Sequence, residues 1–540
     1  MRGKTIAIPI IDDSSDDASN NTSPTSLDNE TPTTNKNESY GQKRSKLVPT
    51  PPPSSSRSLL SNSRSTSSFS RTGGGHHHTR IIVEIGKKDK TLTNFLLLSV
   101  LYAISHSTFL TFMGVATSEF GDLGARSNGI VFFTYGLSAV MGATYVVKTY
   151  GARNSLLIGF NIANIYLSCI TVASMGVLSP LLKGPVVIFG SVAGGVALGI
   201  AWTAQGAYFA RAAREYTSIP SNNTILPHEA TSMFAAIFSF AVFLGEAFFR
   251  ILPTFLVEQY HVSWTIIFGS YTVCSVIAAF GYVYVHEYQP TEEELEHLYD
   301  SAFTKATAAW RLFWEDDKMK YMTGLNAIYG FMSAFMLSFV NGEVVRQSFP
   351  QHDTSSTVSI LLTVTSAVAA LTSLIVDDVS HYIGKGLVVV SGICAYYIIV
   401  FLFVIHPELN NWGWSGLIPI FVLNGVARSV FESTLRSEFA DFFPYEPEGA
   451  FANIPFQNGL FAAVGFFLSI SFTCKFQDDY CVEYQDGDLH NTLAFELICM
   501  TIALLAILGH WRASNLFEQE RFEEEKESLS RTDEVKLALV

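Results

Sequence analysis

The sequence predicts an all-α polytopic membrane protein whose twelve transmembrane helices form two six-helix halves. Three observations predict it. Apolar residues make up 48% of the 540 residues and charged ones only 15%, where an average soluble protein has about 25% charged. Mean hydropathy is +0.27 although the start of the chain is polar, so the remainder is far more apolar than that mean. Runs of about 20 mostly apolar residues, long enough to cross a bilayer core, recur twelve times. The same composition excludes a soluble globule, a disordered chain, a collagen-like fibre and a disulfide scaffold, because six Cys cannot staple 540 residues. A net charge of −14 leaves no basic footprint for nucleic acid. The expected surroundings are a lipid bilayer.

The spans fall near 94–114, 128–147, 155–178, 185–206, 230–254, 263–285, 320–340, 355–376, 386–406, 415–435, 453–474 and 490–511. Spans 2, 8 and 10 carry the most small and polar residues. Residues 1–90 are rich in Ser, Thr, Asn and Pro and cannot bury enough apolar surface to offset their ordering entropy, so a disordered tail is expected there. The first half then covers 91–285, a cytosolic linker 286–319, the second half 320–512 and a charged tail 513–540. In the linker, Thr291 and Glu294 make a capping box, and Leu295, Leu298, Tyr299, Ala302 and Phe303 repeat at helical spacing. This predicts an amphipathic helix lying on the membrane or under the bundle.

Orientation follows from the basic residues of the short loops. The loops leading from even to odd spans hold Lys148, Arg153, Arg211, Arg214, Lys305, Arg311, Lys318, Lys320, Lys385 and Arg436, whereas the opposite loops hold Arg126, Lys183, Arg346 and Lys475. The first set, and with it both termini, is therefore expected in the cytosol. Whether the membrane is the plasma membrane or an internal one is not encoded in this pattern.

Charge inside the spans marks the candidate site, since an ionised side chain at mid-membrane costs about 2.5–3.5 kcal/mol on insertion scales. In span 10, Asn424, Arg428, Glu432 and Arg436 recur every four residues and share a face, so Glu432 is expected to pair with both arginines. Span 5 carries Glu246 and Arg250 at the same spacing, a candidate intramembrane ion pair. Two readings compete: a charged lining for a solute or proton path, or ion pairs that lock the bundle. Neutral candidates for the same cavity are His106 in span 1, Trp202, Gln205 and Tyr208 in span 4, and Asn326 in span 7. His106 is either a proton relay or a packing residue. The glycines of span 4 (Gly190, Gly194, Gly195, Gly199) indicate close helix contact. Cys474 and Cys481 share the loop after span 11, where a disulfide in an oxidising compartment and two free thiols both fit. The other four Cys lie in spans, where packing is expected. No dinucleotide, P-loop, zinc, haem or nucleophile constellation occurs. Enzymatic catalysis, ATP-driven transport and a bound cofactor or metal therefore have no support.

The turn after span 2 reads Lys148, Gly151, Arg153, and the turn after span 8 reads Asp377, Asp378, Gly384, Lys385. Matching positions in two halves resemble the duplicated plan of major facilitator transporters and their acidic-then-Gly-then-basic loop. The first copy lacks the acidic residue, which argues against a gating salt bridge there. Two further segments, Gly199-Ile-Ala-Trp-Thr-Ala-Gln-Gly-Ala-Tyr208 and Glu448-Gly-Ala-Phe-Ala-Asn453, resemble the uncoordinated-93-like branch of that superfamily. The resemblance covers about 90–512. It implies a central cavity between spans 1, 4, 7 and 10, and divides function between carriers and accessory subunits of potassium channels or receptors. The expected function is secondary carriage of a small solute or ion; the alternative is a non-transporting regulatory or trafficking subunit.

Overall fold

Lipid offers no hydrogen bonds, so every crossing must satisfy its backbone internally, and helices do so. The computed structural model describes residues 74–219, 226–288, 301–350, 354–472, 475–477, 480–483 and 490–538. Among the described residues, twelve helices are long and apolar enough to cross a membrane: Lys90–Ala116, Leu123–Tyr150, Ala152–Ser174, Pro180–Ser218, Pro227–Tyr260, Trp264–Tyr284, Asp317–Ser348, Thr354–Ile383, Lys385–Ile405, Gly413–Phe442, Pro447–Ser469 and Thr492–Glu527. They are numbered 1 to 12 below. Spans 2, 8 and 10 are among them. Outward faces carry exposed Leu181, Phe189, Leu371, Ile375 and Leu508, a liability in water and harmless in hydrocarbon. The chain is an integral multi-pass membrane protein.

The packing repeats. Span 1 lies on 5 and 6, span 2 on 4, and span 3 on 4 and 6; six spans later, 7 lies on 11 and 12, 8 on 10, and 9 on 10 and 12. The halves meet where span 2 packs on 11 and span 5 on 8, a pair of contacts that the same shift of six exchanges. Span 4 approaches its neighbours closely because its glycines have no side chain. A Cβ on Gly195 would fall 1.8 Å from Thr134 Oγ1, and one on Gly199 2.1 Å from Ser138 Oγ. At Gly206 it would fall 2.1 Å from the Phe451 ring of span 11. The two segments that resemble the uncoordinated-93-like branch therefore touch.

Several expectations are corrected. The first helix runs from Gly74 to Phe120, so residues 74–90 are helical rather than part of a disordered tail. No Pro lies between Pro53 and Pro180, and a helix already nucleated by its span extends at little cost. Residues 1–73 lie outside the described residues. The last helix runs from His490 to Ala538 and takes in most of the charged tail. In the linker, Thr291, Glu294, Leu295, Leu298 and Tyr299 lie outside the described residues. The part beyond forms two short helices, Ala302–Ala306 and Ala308–Glu315. Phe303, Trp310 and Trp314 are exposed on them while Ala308, Ala309 and Leu312 are buried. Span 10 is broken at Ser433, which separates the helices Gly413–Glu432 and Thr434–Phe442. Span 7 contains a π-helical stretch, Phe335–Val344, and span 2 a shorter one, Ala139–Ala143. Cys274 and Cys394 are exposed, so of the four span cysteines only Cys499 is fully packed. Cys474 lies outside the described residues. Cys481 falls in a strand, Tyr480–Glu483, antiparallel to Lys475–Gln477.

Candidate functional site

The charged residues of spans 5 and 10 meet halfway along the bundle. Glu246 is fully buried and sits between two guanidiniums. Arg250, one turn along span 5, approaches it at 3.0 Å, so the expected pair forms. Arg428 comes from the other half and donates from Nη1 and Nη2 to the two Glu246 oxygens, at 2.9 and 3.1 Å. This fork-to-fork geometry is the strongest form of such a pair. Ser366 of span 8 donates to Glu246 at 3.1 Å and accepts from Arg250 Nη1 at 2.6 Å.

Glu432 is therefore not the partner of Arg428. Cross-helix pairing with Glu246 wins because both Arg428 nitrogens can be used at once, which the one-turn spacing along span 10 does not offer. Glu432 accepts instead from Arg436 Nε at 3.1 Å and from the Tyr329 hydroxyl of span 7. The break at Ser433 lies between Glu432 and Arg436. Arg436 donates from Nη1 to Gln205 Oε1 of span 4 at 2.7 Å and lies 4.0 Å over the Trp202 ring, a cation–π contact in a water-poor setting. Arg428 lies 5.1 Å from the Phe243 ring. His106 packs edge-on to Trp202, with ring centroids 4.9 Å apart, and its Nδ1 has no partner.

His106, Trp202, Phe238, Ser239, Val242, Phe243, Glu246 and Glu432 surround a cavity of about 10 Å³, the room of about one water molecule. Of the residues expected in a central cavity, the structure thus gathers His106, Trp202, Gln205, Arg428 and Glu432, together with Glu246 and Arg250 of span 5. Asn424 is buried one turn before Arg428. Two others lie elsewhere. Tyr208 donates to the His286 carbonyl at 2.8 Å, beside Asn94 and Tyr288. Asn326 donates to Gln457 of span 11 at 2.7 Å.

Sequence reasoning missed a second layer, at the end of the bundle from which the first and last helices emerge. Lys148 pairs with Glu446 at 2.7 Å, and Arg211 with Glu448 at 2.7 Å. Both contacts join the first half to the second. The turn after span 2 thus holds an ion pair despite lacking its own acid, which is supplied from 298 residues along the chain. Glu287 accepts from the backbone N–H groups of Ala152 and Arg153 at 3.0 and 2.9 Å, capping span 3. Burial pushes its carboxyl above the usual range in spite of these bonds and the nearby Arg211. Lys385 pairs with Asp441 at 2.7 Å and donates to the His228 carbonyl of span 5 at 3.1 Å. The acidic signal was present in Glu446 and Glu448, but nothing local tied them to these cations.

The fold has known counterparts. A model of the Major Facilitator Superfamily matches residues 217–473, just under half of the chain. Two structures of the xylose transporter XylE, one of them from E. coli in a partially occluded, inward open conformation, are similar with TM-scores of 0.54 and 0.55 at 13% identity. They cover 79% of this chain and 96% and 98% of theirs. The nucleoside transporter NupG is similar with a TM-score of 0.51 at 15% identity, covering 78% of this chain and 99% of that one. The fold is that of the major facilitator superfamily. Among curated proteins none matches the chain. Within the major facilitator fold, the cluster around Glu246 sits where the two halves meet.

Proposed function

We propose that this protein is a secondary carrier of a small solute or ion working by alternating access. The observation that carries the reading is the central cluster. Its main bond, Glu246 to Arg428, joins one half to the other, and it borders an almost filled cavity. One end of the bundle is meanwhile held shut by inter-half pairs that water can replace, Lys148–Glu446 and Arg211–Glu448. Buried ion pairs contribute little net stability against a hydrophobic filling, so their presence on the dividing surface suits a switch better than a strut. The similar structures are of transporters of xylose and of nucleosides, which supports carriage as a class.

The inside-facing set of basic loops supports cytosolic termini, and the Gly199–Tyr208 and Glu448–Asn453 segments support the uncoordinated-93-like branch. The alternative, a non-transporting subunit of a potassium channel or receptor, is favoured by one observation: the cavity has room for about one water. Counterflow into proteoliposomes separates the two. A panel of labelled pentoses, nucleosides, amino acids and small anions should contain one that wild type exchanges. Glu432→Gln, which weakens the hold on Arg436 and Tyr329, should slow that exchange by about tenfold, or about 1.4 kcal/mol on the limiting barrier. No exchange of any of them, with a defined membrane partner on co-purification, would favour the subunit reading.

A further inference from the structure

The charges of the central cluster do not balance. Arg250, Arg428 and Arg436 face two carboxylates, Glu246 and Glu432. The titratable and polar groups around them are Tyr102 and His106 of span 1, Tyr135 of span 2, Gln205 of span 4, Tyr329 of span 7, Ser366 of span 8 and Tyr396 of span 9. None of these supplies a negative charge in its ordinary form. Among the described residues, one guanidinium is left without a matching anion, deep in a bundle where an unmatched charge is costly.

Two features say where a counter-charge would go. Arg428 is the most open of the three arginines, its side chain keeping 15% exposure against 6% for Arg250 and 8% for Arg436. It also holds both oxygens of Glu246 in the fork that a free carboxylate would occupy. Around it, buried hydrogen-bonding atoms lack partners: His106 Nδ1, on the cavity wall, and Arg250 Nε, beside the same Glu246. We propose that the central cluster binds a small monoanion, a carboxylate or comparable oxyanion, on Arg428. The ligand takes one or both nitrogens that Glu246 holds in this closed form, brings the cluster to neutrality, and leaves when Glu246 returns. The cavity seen here is the site after closure, too small for the anion itself. This inference rests on the carrier reading for its purpose, not for its chemistry.

The test uses the full chain in nanodiscs of zwitterionic lipid near neutral pH, at constant ionic strength. The thermal midpoint is measured in potassium acetate, chloride and phosphate, and again with sodium or choline in place of potassium. Acetate should raise the midpoint saturably, whatever the cation. In Arg428→Gln, saturation should require about tenfold more acetate or vanish, as expected for one lost charge-assisted fork. A midpoint indifferent to the anion, one that follows the cation, or an unchanged acetate response in Arg428→Gln overturns the proposal. Should Arg428→Gln not fold, Arg428→Lys keeps the charge and loses the fork; its response should be weaker, and an identical one overturns the proposal. Labelled acetate counterflow then separates the two readings. Binding without flux upholds the anion site and removes carriage. Flux of a neutral or cationic solute with no acetate effect removes the site and leaves carriage standing.

Discussion

The turn around Gly151 and the turn around Gly384 hold the same backbone shape in different ionic surroundings. Gly151 has φ 83 and ψ 163, Gly384 φ 86 and ψ 147, and each ends one span and starts the next. That conformation is almost closed to residues with a side chain. The backbone of the duplicated unit is thus kept in both halves while the side chains have diverged. The first turn is tied to the other half through Lys148 and Glu446 and capped by Glu287. The second ties Lys385 to Asp441 of its own half and reaches the other through His228 and Thr231. The shape is common property, and the locking is local.

The comparison breaks most visibly at the glycines. A Cβ on Gly151 would fall 3.0 Å from Glu287 Oε1, whereas one on Gly384 would meet nothing within 4 Å. Backbone strain alone costs about 1–3 kcal/mol, so Gly384→Ala should lose about that much. Gly151→Ala should lose more, because the cap on span 3 must also move. Thermal midpoints in detergent measure both, and equal losses would mean that Glu287 yields freely.

A smaller effect is expected at the acids. Glu446→Gln leaves Lys148 without its anion and should cost about 1 kcal/mol, a partly exposed pair being discounted for screening. A cysteine placed at Ala450 should then react faster with a soluble thiol reagent. Asp441→Asn should raise that rate less, because Lys385 keeps its bond to the His228 carbonyl. If the two acids act alike, the locking is not confined to the first turn.

The smallest effect is one of pH. The folded-state carboxyl of Glu287 titrates above its ordinary value because burial disfavours its charge. A raised value means a stabilising contribution that is full below the ordinary carboxylate pKa and is lost as pH rises through the raised one. The stability of wild type relative to Glu287→Gln should therefore fall as pH rises above the ordinary carboxylate range. A difference that grows with pH would show that the backbone bonds to Ala152 and Arg153, not burial, govern this group.

The crossings were legible in the sequence because lipid imposes the same demand on every span: length, apolarity and few charges. Glu246 with Arg250 was legible because the two lie one helical turn apart. Arg428 with Glu246 was not, since 182 residues separate them and the period of span 10 pointed to Glu432. The break at Ser433 carries no Gly or Pro to announce it. Tyr208 and Asn326 were placed on the correct spans, but depth within a bundle depends on how helices slide past one another, which no single helix records. Glu446 and Glu448 stood in plain view beside the Ala-Phe-Ala-Asn segment. Their partners became visible only once spans 2, 4 and 11 were brought together.

The helices at the two ends of the chain, 47 and 49 residues long, have a mechanical consequence. At about 1.5 Å per residue each is about 70 Å of rod, more than twice the thickness of a bilayer core. The first is unbroken between Gly74 and the turn that carries His106, with no joint at which bending could be absorbed. A push or twist applied to its outer portion is therefore delivered, undamped, to the ring that meets Trp202 edge-on.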